Sequence, residues 1–113
     1  MFNTLLEKVN AQPDSTVGLV KEGPVYFLVL NDPKTDNTFD DDKIDRVSRF
    51  LDEVNNSTGP ACLVTIAVGK CFSTGFNLKY WGADPMNAFY SVANMQRLYA
   101  KLLTVNVPTM CVI

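Results

Sequence analysis

The sequence predicts an α/β fold, and three observations carry that reading. Two runs, Val25–Leu30 and residues 61–68, are apolar and rich in the β-branched and aromatic residues that fill strands. Two other segments, residues 41–54 and 85–103, place apolar residues at steps of three and four, the period of a helix with one buried face. The two kinds alternate along the chain, as they do in α/β folds. With 113 residues, 47% hydrophobic and 19% charged, the chain is one domain at most, with a small but usable core.

Residues 1–15 read as a lead-in segment, with a short helical turn at Leu5 to Val9 closed by Gln12-Pro13-Asp14. The domain proper runs over residues 16–113. Residues 16–21 alternate weakly and suit an edge strand. Glu22-Gly23-Pro24 is a turn signal, so this strand and Val25–Leu30 are expected to pair as a hairpin. Asn31 to Asn37 is a loop of turn formers, and Pro33 within it has no N–H to donate to a sheet.

Asp40-Asp41-Asp42 admits two readings. A calcium loop needs alternating ligands, a glycine at its sixth position and a glutamate at its twelfth, and this stretch has no such layout. Carboxylates at a helix N-terminus, favoured by its dipole, are the better account. The helix that follows buries Ile44, Val47, Leu51 and Val54, with Phe50 beside them. Asp42, Lys43, Asp45, Arg46, Arg49, Asp52 and Glu53 are expected to face water, with i,i+4 pairs Asp42–Arg46, Asp45–Arg49 and Arg49–Glu53. Residues 55–60 end this helix.

Residues 61–68 are apolar throughout, as in a strand buried on both faces. A polar loop follows at residues 69–78. Asp84-Pro85 then starts a helix, with Asp as the cap and Pro at the first helical position. Its expected buried stripe is Ala88, Val92, Met95, Tyr99 and Leu102, widened by Phe89 and Leu103. Val107-Pro108 breaks it, and residues 109–113 begin another apolar strand. A domain seldom ends inside a core strand, so the expectation is a fragment of a longer fold.

Composition excludes several functions. The net charge of −2 offers no basic stripe for nucleic acid. No apolar run approaches the roughly 20 residues that span a bilayer. There is no histidine, which removes Ser-His-Asp and Cys-His catalysis and histidine-ligated metals from this chain. Cys62, Cys71 and Cys111 have no CxxC spacing, so no metal site is expected and all three are read as buried, inert thiols. The Asn55 and Asn56 sequons read as ordinary polar loop without a secretory signal. An intracellular setting fits best, with mitochondrial matrix, peroxisome and cytosol left open.

Function should lie in the loop Gly69-Lys70-Cys71-Phe72-Ser73-Thr74-Gly75-Phe76-Asn77-Leu78, where a strand opens into a polar turn. A Walker loop needs its lysine after the second glycine, and here Lys70 follows the first. A dinucleotide G-x-G-x-x-G is absent. An oxyanion site fits better. A glycine lets the backbone turn so that an N–H points into a cleft, where it can polarise a thioester carbonyl.

These residues resemble the first oxyanion-loop signature of the crotonase, or enoyl-CoA hydratase/isomerase, superfamily, which Gly69, Lys70, Phe72, Ser73, Gly75 and Leu78 match. Upstream, the segment from Leu30-Asn31-Asp32-Pro33-Lys34 to Asn37-Thr38-Phe39 is similar to that family's Leu-Asn-Arg-Pro-Lys-x-x-Asn-Ala-Leu. Downstream, Val107-Pro108-Thr109-Met110-Cys111-Val112 is similar to its next strand. The order and spacing of all three agree, from residue 16 to the end. The phrase from Phe72 to Leu78 looks closest to the Δ3,Δ2-enoyl-CoA isomerases of fatty acid metabolism.

The resemblance implies the N-terminal part of a crotonase-type ββα spiral that binds an acyl-CoA thioester, with coenzyme A as part of the substrate and no separate cofactor. It makes the Phe76 backbone N–H one oxyanion donor. Lys34, Thr35, Asp36, Thr74, Asn77 and Leu78 would line the path of the coenzyme A moiety. Asn77 stands where the family has Asp, and Asp32 where it has Arg. The family's second donor and its catalytic carboxylates belong to later segments, so residues 1–113 alone are expected to be inactive. The implied assembly is a homo-trimer or hexamer. The alternatives are an inactive structural or assembly subunit of a larger complex, or a small α/β binding domain unrelated to coenzyme A.

Overall fold

The computed structural model describes Met1–Ile113. Its elements are α1 (Phe2–Asn10), β1 (Val17–Glu22), β2 (Val25–Leu30), α2 (Asp41–Asn55), β3 (Cys62–Ala67), α3 (Leu78–Ala83), α4 (Pro85–Leu103) and β4 (Thr109–Cys111), with a 3-10 turn at Pro33–Thr35. The four strands form one sheet in the order β1-β2-β3-β4. β1 and β2 pair antiparallel as a hairpin, while β2–β3 and β3–β4 are parallel. Parallel neighbours need a long crossover. Here α2 makes the first, and α3 with α4 makes the second.

The period-two alternation of β2 divides the core. Tyr26, Leu28 and Leu30 face one side of the sheet and join Val17 and Leu63 with Ile44, Val47, Leu51 and Val54 of α2 and Met95 and Leu98 of α4. Val29 faces the other side and packs with Val20 against Leu5 and Val9 of α1. The expected turn at residues 5–9 is therefore a full helix, because Leu5 and Val9 lie one turn apart and both reach the sheet. Asp40 caps α2 by accepting the Lys43 N–H (2.9 Å), and Asp84 caps α4 by accepting the Met86 N–H (2.9 Å). No helix is long and apolar enough to cross a membrane.

Four expectations are corrected. Lys43 does not face water: it is buried, and its Nζ donates to Asp32 Oδ2 (2.8 Å) and to the Thr38 carbonyl (2.7 Å). None of the three i,i+4 pairs forms on α2. Arg46 instead reaches back to Asp14 (2.9 Å) and to the Thr16 hydroxyl (3.2 Å), pinning the start of β1. On α4 the buried face is Ser91, Met95 and Leu98, whereas Phe89, Val92, Tyr99, Leu102 and Leu103 are exposed. The buried residues are those on the side that meets α2 and the sheet. Finally, the thiols are not all buried. Cys111 is exposed on the edge strand β4, Cys62 and Cys71 are half-buried, and β3 keeps only Leu63 fully buried.

Candidate functional site

Two loops meet at the C-terminal ends of β2 and β3. Asn37 joins them. It is buried with φ 57°, a left-handed conformation that asparagine tolerates better than most residues. Its Oδ1 accepts the Asp32 N–H (2.8 Å), and its Nδ2 donates to the carbonyls of Val68 and Cys71, both at 2.9 Å. One side chain thus folds its own loop through Asp32 and ties it to the other loop through two further bonds. The sequence offers Asn37 as a turn former and as the Asn of the upstream motif, with no role for its side chain. Its signal would have been that a buried amide can satisfy a donor and two acceptors on different loops.

Further bonds zip the loops along their length. Ser73 Oγ donates to the Asn37 carbonyl (2.8 Å) and accepts the Gly75 N–H (3.1 Å). The Thr74 N–H donates to the Asp36 carbonyl (3.1 Å). Phe39 and Phe76 form a parallel bridge: the Phe39 N–H reaches the Gly75 carbonyl and the Asn77 N–H reaches the Phe39 carbonyl, each at 2.8 Å. Gly69 (φ 103°) and Gly75 (φ 91°) hold conformations closed to other residues, and a side chain at Gly69 would meet Pro33 Cβ at 2.9 Å.

The bridge fixes the direction of the Phe76 N–H. Its peptide is trans, so the N–H points opposite to the Gly75 carbonyl and away from Phe39. It makes no hydrogen bond within the chain. The half-buried ring of Phe76 leans on Trp81, with centroids 4.8 Å apart. Asn77 then caps α3, its Oδ1 accepting the Lys79 N–H (3.1 Å), so the amide oxygen does the acceptor work that a carboxylate would do.

The structure brings Asp36 and Thr74 into contact and places Lys34 and Thr35 on the exposed 3-10 turn just before them. Leu78 opens α3 with its side chain largely in water. Lys34, Lys70 and Lys79 are exposed and none is in an ion pair. Asp32 lies behind the turn, bound by Lys43 and by the Thr35 hydroxyl (2.8 Å). Burial alone would raise its pKa. The bonds from Lys43 and Thr35 and the lysine charge outweigh burial, and the pKa is lowered. Its charge is therefore compensated from within the chain.

Beneath the loops lies a cavity of about 230 Å³, lined mainly by apolar side chains of β2, α2 and α4, with Ser73, Gly75 and Thr65 as its less apolar margin. Phe72 and Phe39 close it on the loop side. No three acidic, cysteine or histidine residues are grouped to hold a metal ion. The arrangement offers a free backbone donor beside apolar space, with unpaired lysines on the loops around it.

No protein-family model and no curated protein sequence matches the chain. Solved structures do. An enoyl-CoA hydratase from Shewanella pealeana superposes with a TM-score of 0.79 at 23% identity, over 94% of this chain and 41% of that one. An enoyl-CoA hydratase from Bacillus anthracis gives 0.79 at 14% identity, over 85% and 38%. An enoyl-CoA hydratase/isomerase (crotonase) from Legionella pneumophila gives 0.75 at 21% identity, over 84% and 38%. The chain spans well under half the length of these structures. Over that span, its four-stranded sheet, crossover helices and paired loops have the crotonase fold.

Proposed function

We propose that this chain contributes the coenzyme A-binding loops and one oxyanion donor of an acyl-CoA site. The parent activity is of the enoyl-CoA isomerase kind, in which a double bond moves by proton transfer through a thioester enolate. The observation that carries the reading is the Phe76 N–H, held without an internal partner by the Phe39–Phe76 bridge. A donor fixed in advance stabilises developing charge without having to reorganise. Lys34 on the neighbouring turn supplies positive charge for the phosphates, and the cavity that Gly75 lines supplies apolar space next to it. A second donor and a proton-transferring carboxylate complete such a site, and they are not among the residues assigned here.

The test is calorimetric titration of the protein with crotonyl-CoA, octanoyl-CoA and free coenzyme A. Thioester binding is expected, with a higher melting temperature; a ligand at one hundred times its Kd stabilises by about 2.7 kcal/mol. Lys34→Ala should weaken all three ligands about threefold to tenfold, the range of one charge-assisted contact. No binding by a folded protein would refute the reading.

One observation favours a second reading, that of a structural subunit. Every residue of β4 is exposed, and so are Val112 and Ile113 after it and Phe89, Tyr99 and Leu103 on α4. A surface of that kind is a pairing face. Concentration-dependent assembly seen by sedimentation, together with no thioester binding, would select it.

A further inference from the structure

We infer that Asp41 is a positioning residue for the Phe76 N–H: its carboxylate, through the Tyr80 hydroxyl, holds α3 and with it the turn that presents the donor. The inference rests on the acyl-thioester reading for its purpose, but its geometry is independent of that reading.

Asp41 opens α2, yet the cap is supplied by Asp40. Its two oxygens are used elsewhere. Oδ2 accepts from the Tyr80 hydroxyl (2.9 Å), and Oδ1 accepts from Ser91 Oγ (3.0 Å) and Asn94 Nδ2 (3.4 Å). The first donor lies on α3 and the other two on α4. Ser91 is fully buried, so this is a built cluster at the meeting of three helices. The bond to Asp41 also raises the Tyr80 pKa.

α3 needs such a tether. It has six residues, includes Gly82 and buries none of its own side chains. A helix so short is not stable by propensity, and of its side chains only Tyr80 and Trp81 are even half-buried. Its attachments are polar: Tyr80 to Asp41, Asn87 Nδ2 to the Tyr80 carbonyl (2.9 Å), and the Asn77 cap. The one aromatic contact is Phe76 on Trp81. A shift of α3 therefore pulls Asn77 and the Phe76 ring together, and turns the peptide between them and Gly75. A displacement near 1 Å is enough to spoil a preorganised donor.

The competing account is that the cluster serves stability alone. Tyr80→Phe and Ser91→Ala separate the two, since each removes one hydroxyl donor from Asp41 but only the first cuts the link to α3. Both should lower the melting temperature by similar amounts. In the ligand-free protein, the Phe76 ¹H–¹⁵N cross-peak is expected to move in Tyr80→Phe and to stay in place in Ser91→Ala. With crotonyl-CoA labelled at its thioester carbonyl, Tyr80→Phe should bind about threefold to tenfold more weakly with a smaller carbonyl infrared shift, while Ser91→Ala keeps both. A Phe76 signal unmoved by Tyr80→Phe, or moved equally by Ser91→Ala, overturns the inference. If the Phe76 signal responds as expected but even the wild type binds no thioester, the tether stands and the acyl-thioester reading falls.

Discussion

The first and second crossovers of this sheet are built from different materials. From Val17 to Leu63, α2 sets a continuous apolar face, Ile44, Val47, Leu51 and Val54, against β1, β2 and β3. After Leu63 only Ser91, Met95 and Leu98 are fully buried. There α3 is fastened by hydrogen bonds to Asp41 and Asn87, and α4 turns aromatic and aliphatic side chains outward. The first crossover is held by area removed from water, which is non-directional. The second is held by a few directional bonds, those of Tyr80 with Asp41 and Asn87 among them. The donor loop sits where the two meet, zipped to the first region through Asn37 and to the second through Asn77.

The comparison breaks most readily at Leu51. It is buried between α2 and the sheet, and Leu51→Ala should cost about 3 kcal/mol, the usual loss for a buried leucine. Leu103→Ala, on the exposed end of α4, should change stability by less than about 0.5 kcal/mol. Urea denaturation of the two variants checks this, and equal losses would abolish the distinction.

Lys43→Met should come next, at about 3 kcal/mol, because it takes the cation from Asp32, which keeps only the Thr35 hydroxyl, and the donor from the Thr38 carbonyl. It also sharpens a pH test. The pKa values of Asp32 and Asp14 both lie below the ordinary carboxylate value of 3.8. For Asp14 the Thr16 hydroxyl bond is the main cause, with Arg46 adding to it. A lowered folded pKa gives stability above the unfolded pKa and loses it as pH falls through the folded value. The wild type should thus lose stability below about pH 4, and Lys43→Met should lose less of it over the same range. An unchanged acid limb in the variant would remove Lys43 from the account.

Asn37→Ala is expected to cost about 2 kcal/mol, since the half-buried carbonyls of Val68 and Cys71 lose their donor. Its effect on thioester affinity should exceed that of Lys34→Ala, because both loops move. The smallest expected change in stability is for Lys34→Ala itself, within about 0.5 kcal/mol, as the side chain is exposed and unpaired.

The contrast between the regions also explains what the sequence disclosed. Where apolar area holds the chain, periodicity is enough: β2 occupies the expected residues, and the core face of α2 is the one its spacing implies. Capping chemistry is equally local, and Asp40 and Asp84 cap as expected. Where distant polar partners decide, the pattern is silent. Nothing near Lys43 announces Asp32, eleven residues back, so a helical lysine reads as solvated. α3 was missed altogether because Leu78-Lys79-Tyr80-Trp81-Gly82-Ala83 has no apolar stripe, and its anchor is Asp41, thirty-nine residues earlier. Of the α4 stripe Met95 is buried but Val92, Tyr99 and Leu102 are not, because periodicity shows which residues share a face, but not which face finds a neighbour. The loop motif was legible as backbone chemistry through its glycines. Asn37, which ties the loops, was legible as a turn residue and as part of the upstream motif, but its two partners thirty-one and thirty-four residues on were not.

The measurement closest to the central claim is the infrared spectrum of crotonyl-CoA, ¹³C-labelled at its thioester carbonyl, bound to the wild-type protein. A preorganised Phe76 N–H predicts a carbonyl stretch at lower wavenumber than for the same thioester in water. A bound thioester whose carbonyl stretch matches the value in water would contradict it.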